Sequence, residues 1–125
     1  MNYIRFSVQE RDGDSGHATG ILVAGHTLRD DGDLDPQEHQ RLREVLAWFN
    51  EYLMLPEGME TRSTRRAISW FKPEAVEFIR KMWELKSLLE LHGHHVNVLK
   101  TTEPGTVIYE DDEQVVAVPP RGVRF

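Results

Sequence analysis

Cysteine is missing from all 125 residues of the chain, and its absence excludes several kinds of site at once. Without thiols there is no disulfide framework, no cysteine nucleophile and no structural zinc site built on cysteine. The composition is compatible with a reducing compartment. We therefore expect a cytoplasmic protein whose fold is held by an apolar core.

Long hydrophobic runs and an excess of positive charge are also missing. No stretch of about 18 consecutive apolar residues occurs, and the start of the chain, Met1–Phe6, has no apolar region of the kind found in secretory signals. The formal net charge is −6, which disfavours broad attraction to nucleic acid or to an anionic membrane. We expect no membrane partner, and nucleic acid is a disfavoured one.

Short motifs of well-known enzyme classes are absent as well. The sequence has no glycine–serine nucleophile elbow, no phosphate-binding loop, no helical zinc-protease motif and no dinucleotide-binding glycine pattern. Apolar residues make up 39% and charged residues 29%, as in ordinary globular proteins. These features favour a non-catalytic protein for which no cofactor is expected.

The first half of the chain predicts one strand and two helices. Residues 3–8 alternate between apolar and polar side chains, as in a strand with one buried face. Helical spacing of small and apolar residues begins near Ala18 and ends at Gly32. Asp35 then provides an N-cap, with Pro36 at the first helical position, for a helix that extends to Leu53.

The second half predicts a long helix between strands. Residues 67–71 form a short apolar strand, and a helix from Pro73 to Leu91 follows it, with one row of apolar side chains at Phe78, Met82, Leu85 and Leu89. A second row contains Ala75, Ile79 and Trp83. Three further strands are predicted at residues 96–100, 106–110 and 114–118, the last two as a hairpin.

Together these elements predict a single α+β domain over residues 1–125, in the order βααβαβββ. The sheet is expected to be mixed and covered by helices. The strands that flank the long helix should form a right-handed parallel βαβ unit. Because the sheet ends in a hairpin at an edge, a homodimer is a plausible assembly.

A basic cluster in the connection after the second helix is a candidate anion site. Arg62, Arg65 and Arg66 lie among hydroxyl residues, and Lys72 precedes the long helix, whose free N–H groups attract anions. This arrangement predicts binding of a phosphate or carboxylate ligand. The alternative is a solvated loop that balances the acidic surface.

Three histidines are a candidate metal site, because imidazole is a common metal ligand. His92, His94 and His95 fall at the end of the long helix. Alternation in the following strand would direct His94 and His95 to opposite sides. The simpler explanation is a favourable interaction of histidines with the C-terminal end of the helix dipole.

Two aromatic side chains widen the apolar stripe of the second helix. Trp48 and Tyr52 are four residues apart and therefore lie on one helix face. Core packing is the commoner role of such side chains. The alternative is a partner-binding patch or a dimer face.

Several short segments resemble one family of small bacterial proteins that has no assigned activity. The resemblance rests on residues 70–72 (Trp-Phe-Lys), 104–105 (Pro-Gly), 109–111 (Tyr-Glu-Asp) and 114–117 (Gln-Val-Val-Ala). It covers the C-terminal half best. It implies a bacterial, cytoplasmic protein and assigns no site.

Two functions follow as hypotheses. The first is a non-catalytic cytoplasmic interaction or regulatory module that binds a protein partner or itself through Trp48 and Tyr52. The second is a small enzyme or binder of an anionic ligand that uses the region from Arg62 to Lys72.

Overall fold

The computed structural model describes residues 1–11, 18–53, 67–123 and 125, which form one sheet and a layer of helices. The elements are β1 (Tyr3–Arg11), β2 (Ala18–Gly20), α1 (Ile21–Asp31), α2 (Pro36–Tyr52), β3 (Ile68–Phe71), α3 (Val76–Leu91), β4 (Val96–Thr101), β5 (Thr106–Glu110) and β6 (Gln114–Val118). The fold is α+β, and the expected order βααβαβββ is confirmed, with the short strand β2 added. None of the helices in the described segments combines the length and apolar character needed to cross a membrane.

Strand β1 is an inner strand of the sheet and pairs with three other strands. It pairs with β4 along its whole first part, from Tyr3 opposite Thr101 to Val8 opposite Val96. On its other side it pairs with β3 and, further along, with β2. The sheet then continues from β3 to β6 and β5. Every pairing between described strands is antiparallel.

The parallel pair expected across α3 is therefore not formed. Strands β3 and β4 run in the same direction, because both are antiparallel to β1, but β1 lies between them. A strand–helix–strand pattern indicates that two strands share a direction. It does not show whether a third strand from elsewhere in the chain separates them.

The helices cover one face of the sheet. Helices α1 and α3 contact the strands, and α2 packs against both of them. The main core contains Phe6 from β1, Phe71 from β3 and Val96 from β4 together with the apolar stripes of the three helices. The predicted row on α3 is confirmed as core: Phe78, Met82, Leu85 and Leu89 are all buried.

Local sequence rules account for the start of α2. The Asp35 carboxylate accepts a hydrogen bond of 2.8 Å from the Glu38 backbone N–H, and the Glu38 side chain accepts one of 3.4 Å from the Asp35 N–H. This reciprocal capping satisfies two N–H groups that the helix leaves unpaired. Pro36 occupies the first helical position, as predicted.

The other two helices begin later than predicted. Residues 18–20 pair with β1 as strand β2, so α1 begins at Ile21. Before α3, the Ala75 N–H donates to the Lys72 carbonyl over 3.0 Å in a turn, and the helix begins at Val76. In both places a backbone hydrogen bond outside the helix replaces the first helical turn.

Gly25 lets the helices approach one another closely. A Cβ atom at this position of α1 would lie 3.1 Å from Leu85 Cδ1 on α3 and 3.2 Å from Leu46 Cδ2 on α2. A glycine inside a helix lowers its intrinsic stability by about 1 kcal/mol relative to alanine. Here the missing side chain makes room for two core leucines.

The opposite face of the sheet carries a smaller apolar cluster. It consists of Ile68, Trp70 and Val115, and the Phe125 ring packs edge-on against Trp70 with 4.8 Å between ring centroids. Two buried polar side chains of β1, Arg5 and Ser7, also lie on this face of the sheet.

Candidate docking surface

The two aromatic residues predicted to bind a partner lie together near the end of α2. The Trp48 ring centroid is 5.0 Å from that of Tyr52, and also 5.0 Å from that of the core residue Phe78 on α3. Trp48 is partly buried, whereas Tyr52 is 53% exposed. Trp48 therefore belongs to the core on one side and to the surface on the other, and Tyr52 extends the surface part.

A groove of about 300 Å³ runs beside Trp48 between α2 and α3. Its walls are formed by Arg41, Glu44, Val45 and Trp48 from α2 and by Lys81 and Glu84 from α3. The Lys81 ammonium group lies 5.7 Å from the centre of the Trp48 ring, in the position of a cation–π contact. Val45 is buried, so the groove has an apolar floor and charged rims. We call these six residues and Tyr52 the docking surface.

The charges of the docking surface differ in how they are compensated. Lys81 and Glu84 are 3.4 Å apart, and Gln40 donates a hydrogen bond of 2.9 Å to Glu44. Arg41 is exposed and has no ion pair or hydrogen bond to any residue in the described segments. Among the described residues, one cation of the groove, Arg41, and one carboxylate, Glu44, therefore have no oppositely charged partner.

Lys72, one of the predicted anion-binding residues, is paired with an acidic side chain. Lys72 Nζ lies 2.6 Å from Glu110 Oε2, and this hydrogen bond raises the pKa of Lys72 above its ordinary value. A groove of about 400 Å³ at the start of α3 is lined by the acidic residues Glu74, Glu77, Asp112 and Glu113 around Ala75, Val76 and Phe78. These carboxylates repel a phosphate or carboxylate, so the geometry at Lys72 gives the anion hypothesis no support. Arg62, Arg65 and Arg66 lie outside the described residues.

The three histidines are not gathered into a metal site. His92 Nε2 lies 2.7 Å from Glu38 Oε2 and links the end of α3 to the first turn of α2. Within the described residues no group of three or more histidine, aspartate or glutamate side chains could hold a metal ion. The hypothesis that His92, His94 and His95 bind a metal therefore has no geometric support.

Sequence reasoning missed the charged rims of the groove. Arg41, Lys81 and Glu84 were not singled out, although a signal for Arg41 is present in the sequence. Arg41, Val45, Trp48 and Tyr52 follow one another at intervals of four, three and four residues, which places them on a second stripe of α2 beside the core stripe. No comparable signal identifies Lys81 and Glu84, because their position opposite Trp48 depends on the packing of two helices.

Trp83, which was placed in the second apolar row of α3, is 47% exposed. Its ring packs edge-on against Phe6, with 5.4 Å between centroids, and the Lys86 ammonium group lies 5.2 Å from its centre. One edge of the indole is buried and the other remains in solvent. Helical periodicity indicated the correct side of the helix but not the depth of burial.

Comparison with known proteins found no match: no family model fits the sequence, and no curated protein or solved structure is significantly similar to it. The resemblance to small bacterial proteins thus stays a prediction.

Proposed function

We propose that this protein is a non-catalytic cytoplasmic interaction module that binds a protein partner through the docking surface on α2 and α3. The observation that carries the proposal is the arrangement of Arg41, Trp48 and Tyr52 on one stripe of α2. Tryptophan, tyrosine and arginine are the residue types most enriched among the energetically dominant residues of protein interfaces.

The partial burial of Trp48 in the unbound protein supports this assignment. The core contacts of Trp48 with Phe49 and Phe78 hold its ring in place, with 5.2 and 5.0 Å between centroids. A side chain that is already ordered loses little conformational entropy when a partner packs on its exposed edge. Trp48 is therefore a preorganised anchor, and Tyr52 adds an exposed aromatic surface beside it.

Site-specific photocrosslinking in a lysate of the source organism tests the proposal. A photoreactive residue in place of Tyr52 should give a defined protein adduct, and Trp48→Ala in the same chain should reduce its yield about thirtyfold, since loss of a central aromatic anchor costs about 2 kcal/mol. The matched control carries the photoreactive residue in place of Val23, which is 57% exposed on α1. Equal adducts from both positions, or an adduct that Trp48→Ala does not change, would refute the assignment.

Self-association through strand β5 is a second candidate. Val107 and Ile108 are 43% and 39% exposed on this strand, which pairs only with β6 among the described strands. The pairing of β5 with β6 shifts register between Val107 and Tyr109, and such an irregularity weakens an edge as a template for a further strand. We therefore favour binding of a partner at the docking surface over self-association through β5.

Light scattering distinguishes the two candidates. If β5 pairs between two copies, the protein should be a dimer whose dissociation is promoted by Val107→Lys. If the docking surface binds a different protein, the isolated chain should be monomeric and Val107→Lys should leave the Tyr52 crosslink unchanged.

A further inference from the structure

One phenylalanine side chain fills a site on the face of the sheet opposite the helices. The Phe125 ring packs edge-on against Trp70, with 4.8 Å between ring centroids and 86° between ring planes. Arg5 Nη1 donates a hydrogen bond of 3.4 Å to the Phe125 carbonyl oxygen. The remaining walls are the other members of the small apolar cluster, Ile68 and Val115. We call Arg5, Ile68, Trp70 and Val115 the phenylalanine site.

Paired strands hold the phenylalanine site in shape. Trp70 of β3 and Val115 of β6 lie opposite each other in the antiparallel pairing, and both are completely inaccessible. Arg5 lies on β1, which pairs with β3, and it is buried. A buried guanidinium group requires hydrogen-bond acceptors, and the carbonyl oxygen of the bound residue is one of them. The site therefore receives two features of its occupant, an aromatic ring and a backbone carbonyl group.

A turn after β6 brings Phe125 back over the sheet. The Val123 N–H donates a hydrogen bond of 3.0 Å to the Pro120 carbonyl, and Gly122 has a φ of 84°, which glycine adopts without strain in such a turn. Residues 120–123 are exposed, and within the described part of the chain they form no hydrogen bond or ion pair with the sheet. Among these residues after β6, Phe125 is therefore the anchor that holds the segment on this face.

The occupant is held less firmly than the site that surrounds it. Trp70 and Val115 have no exposed surface, whereas Phe125 is only partly buried. None of the three belongs to the main core under the helices. Release of Phe125 would therefore leave the main core and the strand pairings in place. A group tethered in this way competes with the same group on another molecule through its effective concentration, which is on the order of millimolar for a short flexible connection.

We propose that the phenylalanine site binds a phenylalanine residue of a partner protein, and that Phe125 fills the site in cis until the partner displaces it. The chemistry of the ligand is that of the cis occupant, with an aromatic ring against Trp70 and a backbone carbonyl group against Arg5. This inference goes beyond the proposed function, because the site lies on the other face of the sheet from the helices that form the docking surface.

Binding of a peptide in trans tests the inference. The probe has the sequence of residues 119–125, and the control peptide has alanine in place of its phenylalanine. In Phe125→Ala the site lacks its cis occupant, so a titration followed by NMR should show binding of the probe, with a shift of the Trp70 indole signal. Wild type should bind the probe at least about tenfold more weakly, because Phe125 competes for the site. The alanine peptide should bind to neither protein.

A substitution in the same segment provides the matched control. Val123 is 37% exposed and does not belong to the small cluster, so Val123→Ala leaves Phe125 in the site. This variant should bind the probe as weakly as wild type does. Circular dichroism of each variant establishes that it is folded.

Fluorine NMR tests the same competition without removal of the ring. The full chain carries para-fluorophenylalanine at position 125 only, and its resonance should be shifted by the nearby Trp70 ring. An excess of the probe should transfer intensity to the resonance of the detached ring, whereas the alanine peptide should not. This measurement remains decisive if Phe125→Ala does not fold.

Three results would overturn the inference: no binding of the probe by folded Phe125→Ala, equal binding by this variant and by wild type, or a fluorine resonance that an excess of the probe leaves unchanged. A concentration-dependent dimer of wild type that Phe125→Ala abolishes would identify a second copy as the occupant and would refute the assignment to a different protein. None of these measurements involves Trp48 or Tyr52, so the proposed function stands or fails separately through the Tyr52 crosslink.

Discussion

The two faces of the sheet are stabilised in different ways. The helix-covered face buries a large apolar cluster in which residues such as Leu85 and Leu89 are completely inaccessible. The opposite face buries a small cluster around Trp70 together with polar atoms, and two of these, Ser7 Oγ and Trp70 Nε1, have no hydrogen-bond partner among the described residues. Burying a polar group without a partner opposes folding, whereas burying apolar surface favours it. Truncating a buried apolar side chain on the helix face and removing the unpaired Ser7 hydroxyl on the other face should therefore have opposite effects on stability.

The largest effect is expected on the helix face. Leu85 is fully buried and contacts the space that Gly25 leaves open between α1 and α3. Leu85→Ala should lower the free energy of unfolding by about 3–4 kcal/mol, because it removes apolar contacts and leaves a cavity. Urea unfolding followed by circular dichroism measures this loss. Val76→Ala on the same helix is the control: Val76 is 58% exposed, and its truncation should change stability by no more than about 0.5 kcal/mol.

An intermediate effect is expected at the β5–β6 turn, where a partly buried polar side chain, Asp111, does have hydrogen-bond partners. Asp111 Oδ1 accepts hydrogen bonds of 2.9 Å from the backbone N–H groups of Glu113 and Gln114, and Oδ2 accepts one of 2.9 Å from the Tyr109 hydroxyl. Asp111→Ala should lower the free energy of unfolding by about 1–2 kcal/mol at neutral pH. Asp112→Ala, an exposed neighbour, should have little effect. Similar losses from both substitutions would contradict the role assigned to these hydrogen bonds.

The same carboxylate predicts a dependence on pH. Partial burial alone would raise the pKa of Asp111, but the hydrogen bonds from Glu113 and Gln114 outweigh it, and the pKa lies below its ordinary value. The unfolded chain therefore takes up this proton first as the pH falls. The contribution of Asp111 is present above about pH 4 and is lost as the pH falls through the pKa of the folded state. The stability difference between wild type and Asp111→Ala should shrink over that interval and remain constant at higher pH.

The smallest effect, with the opposite sign, is expected on the second face. Ser7→Ala removes a buried hydroxyl for which the described part of the chain offers no hydrogen-bond partner, and it should raise the free energy of unfolding by about 0.5–1 kcal/mol. Ser69→Ala, at an exposed position of β3, should change it by less than about 0.5 kcal/mol. A loss of stability in Ser7→Ala that exceeds the change in Ser69→Ala would show that the hydroxyl is not an unfavourable group.

Elements governed by local rules were predicted closely. The bounds of β5 and β6 agree with the sequence prediction, and so does the capping of α2 by Asp35. A hairpin turn depends only on residues that are close in the chain, and so does an N-cap aspartate three residues before a glutamate. The predicted starts of α1 and α3 were wrong. Residues 18–20 form strand β2, which pairs with the distant strand β1, and a turn precedes Val76.

The candidate site was predicted in part. Trp48 and Tyr52 were recognised as aromatic residues that widen the stripe of α2, and they lie together on the surface. The groove itself could not be predicted, because Lys81 belongs to α3 and meets Trp48 only through helix packing. The acidic surroundings of Lys72 could not be predicted for the same reason, since Glu110 is distant from Lys72 in the sequence.

The amino-acid sequence alone determined the type and order of eight of the nine described elements, the α+β class and the buried apolar row of α3. The alternation of apolar and polar residues in strands and their helical periodicity depend on residues that are close in the chain. Both patterns can therefore be recognised without knowing the fold. The tertiary structure decided the insertion of β1 between β3 and β4, the solvent exposure of Trp83 and the meeting of Arg41, Trp48 and Lys81 at one groove. These features depend on contacts between distant segments, whose free energy is set by the shape of the whole packed molecule.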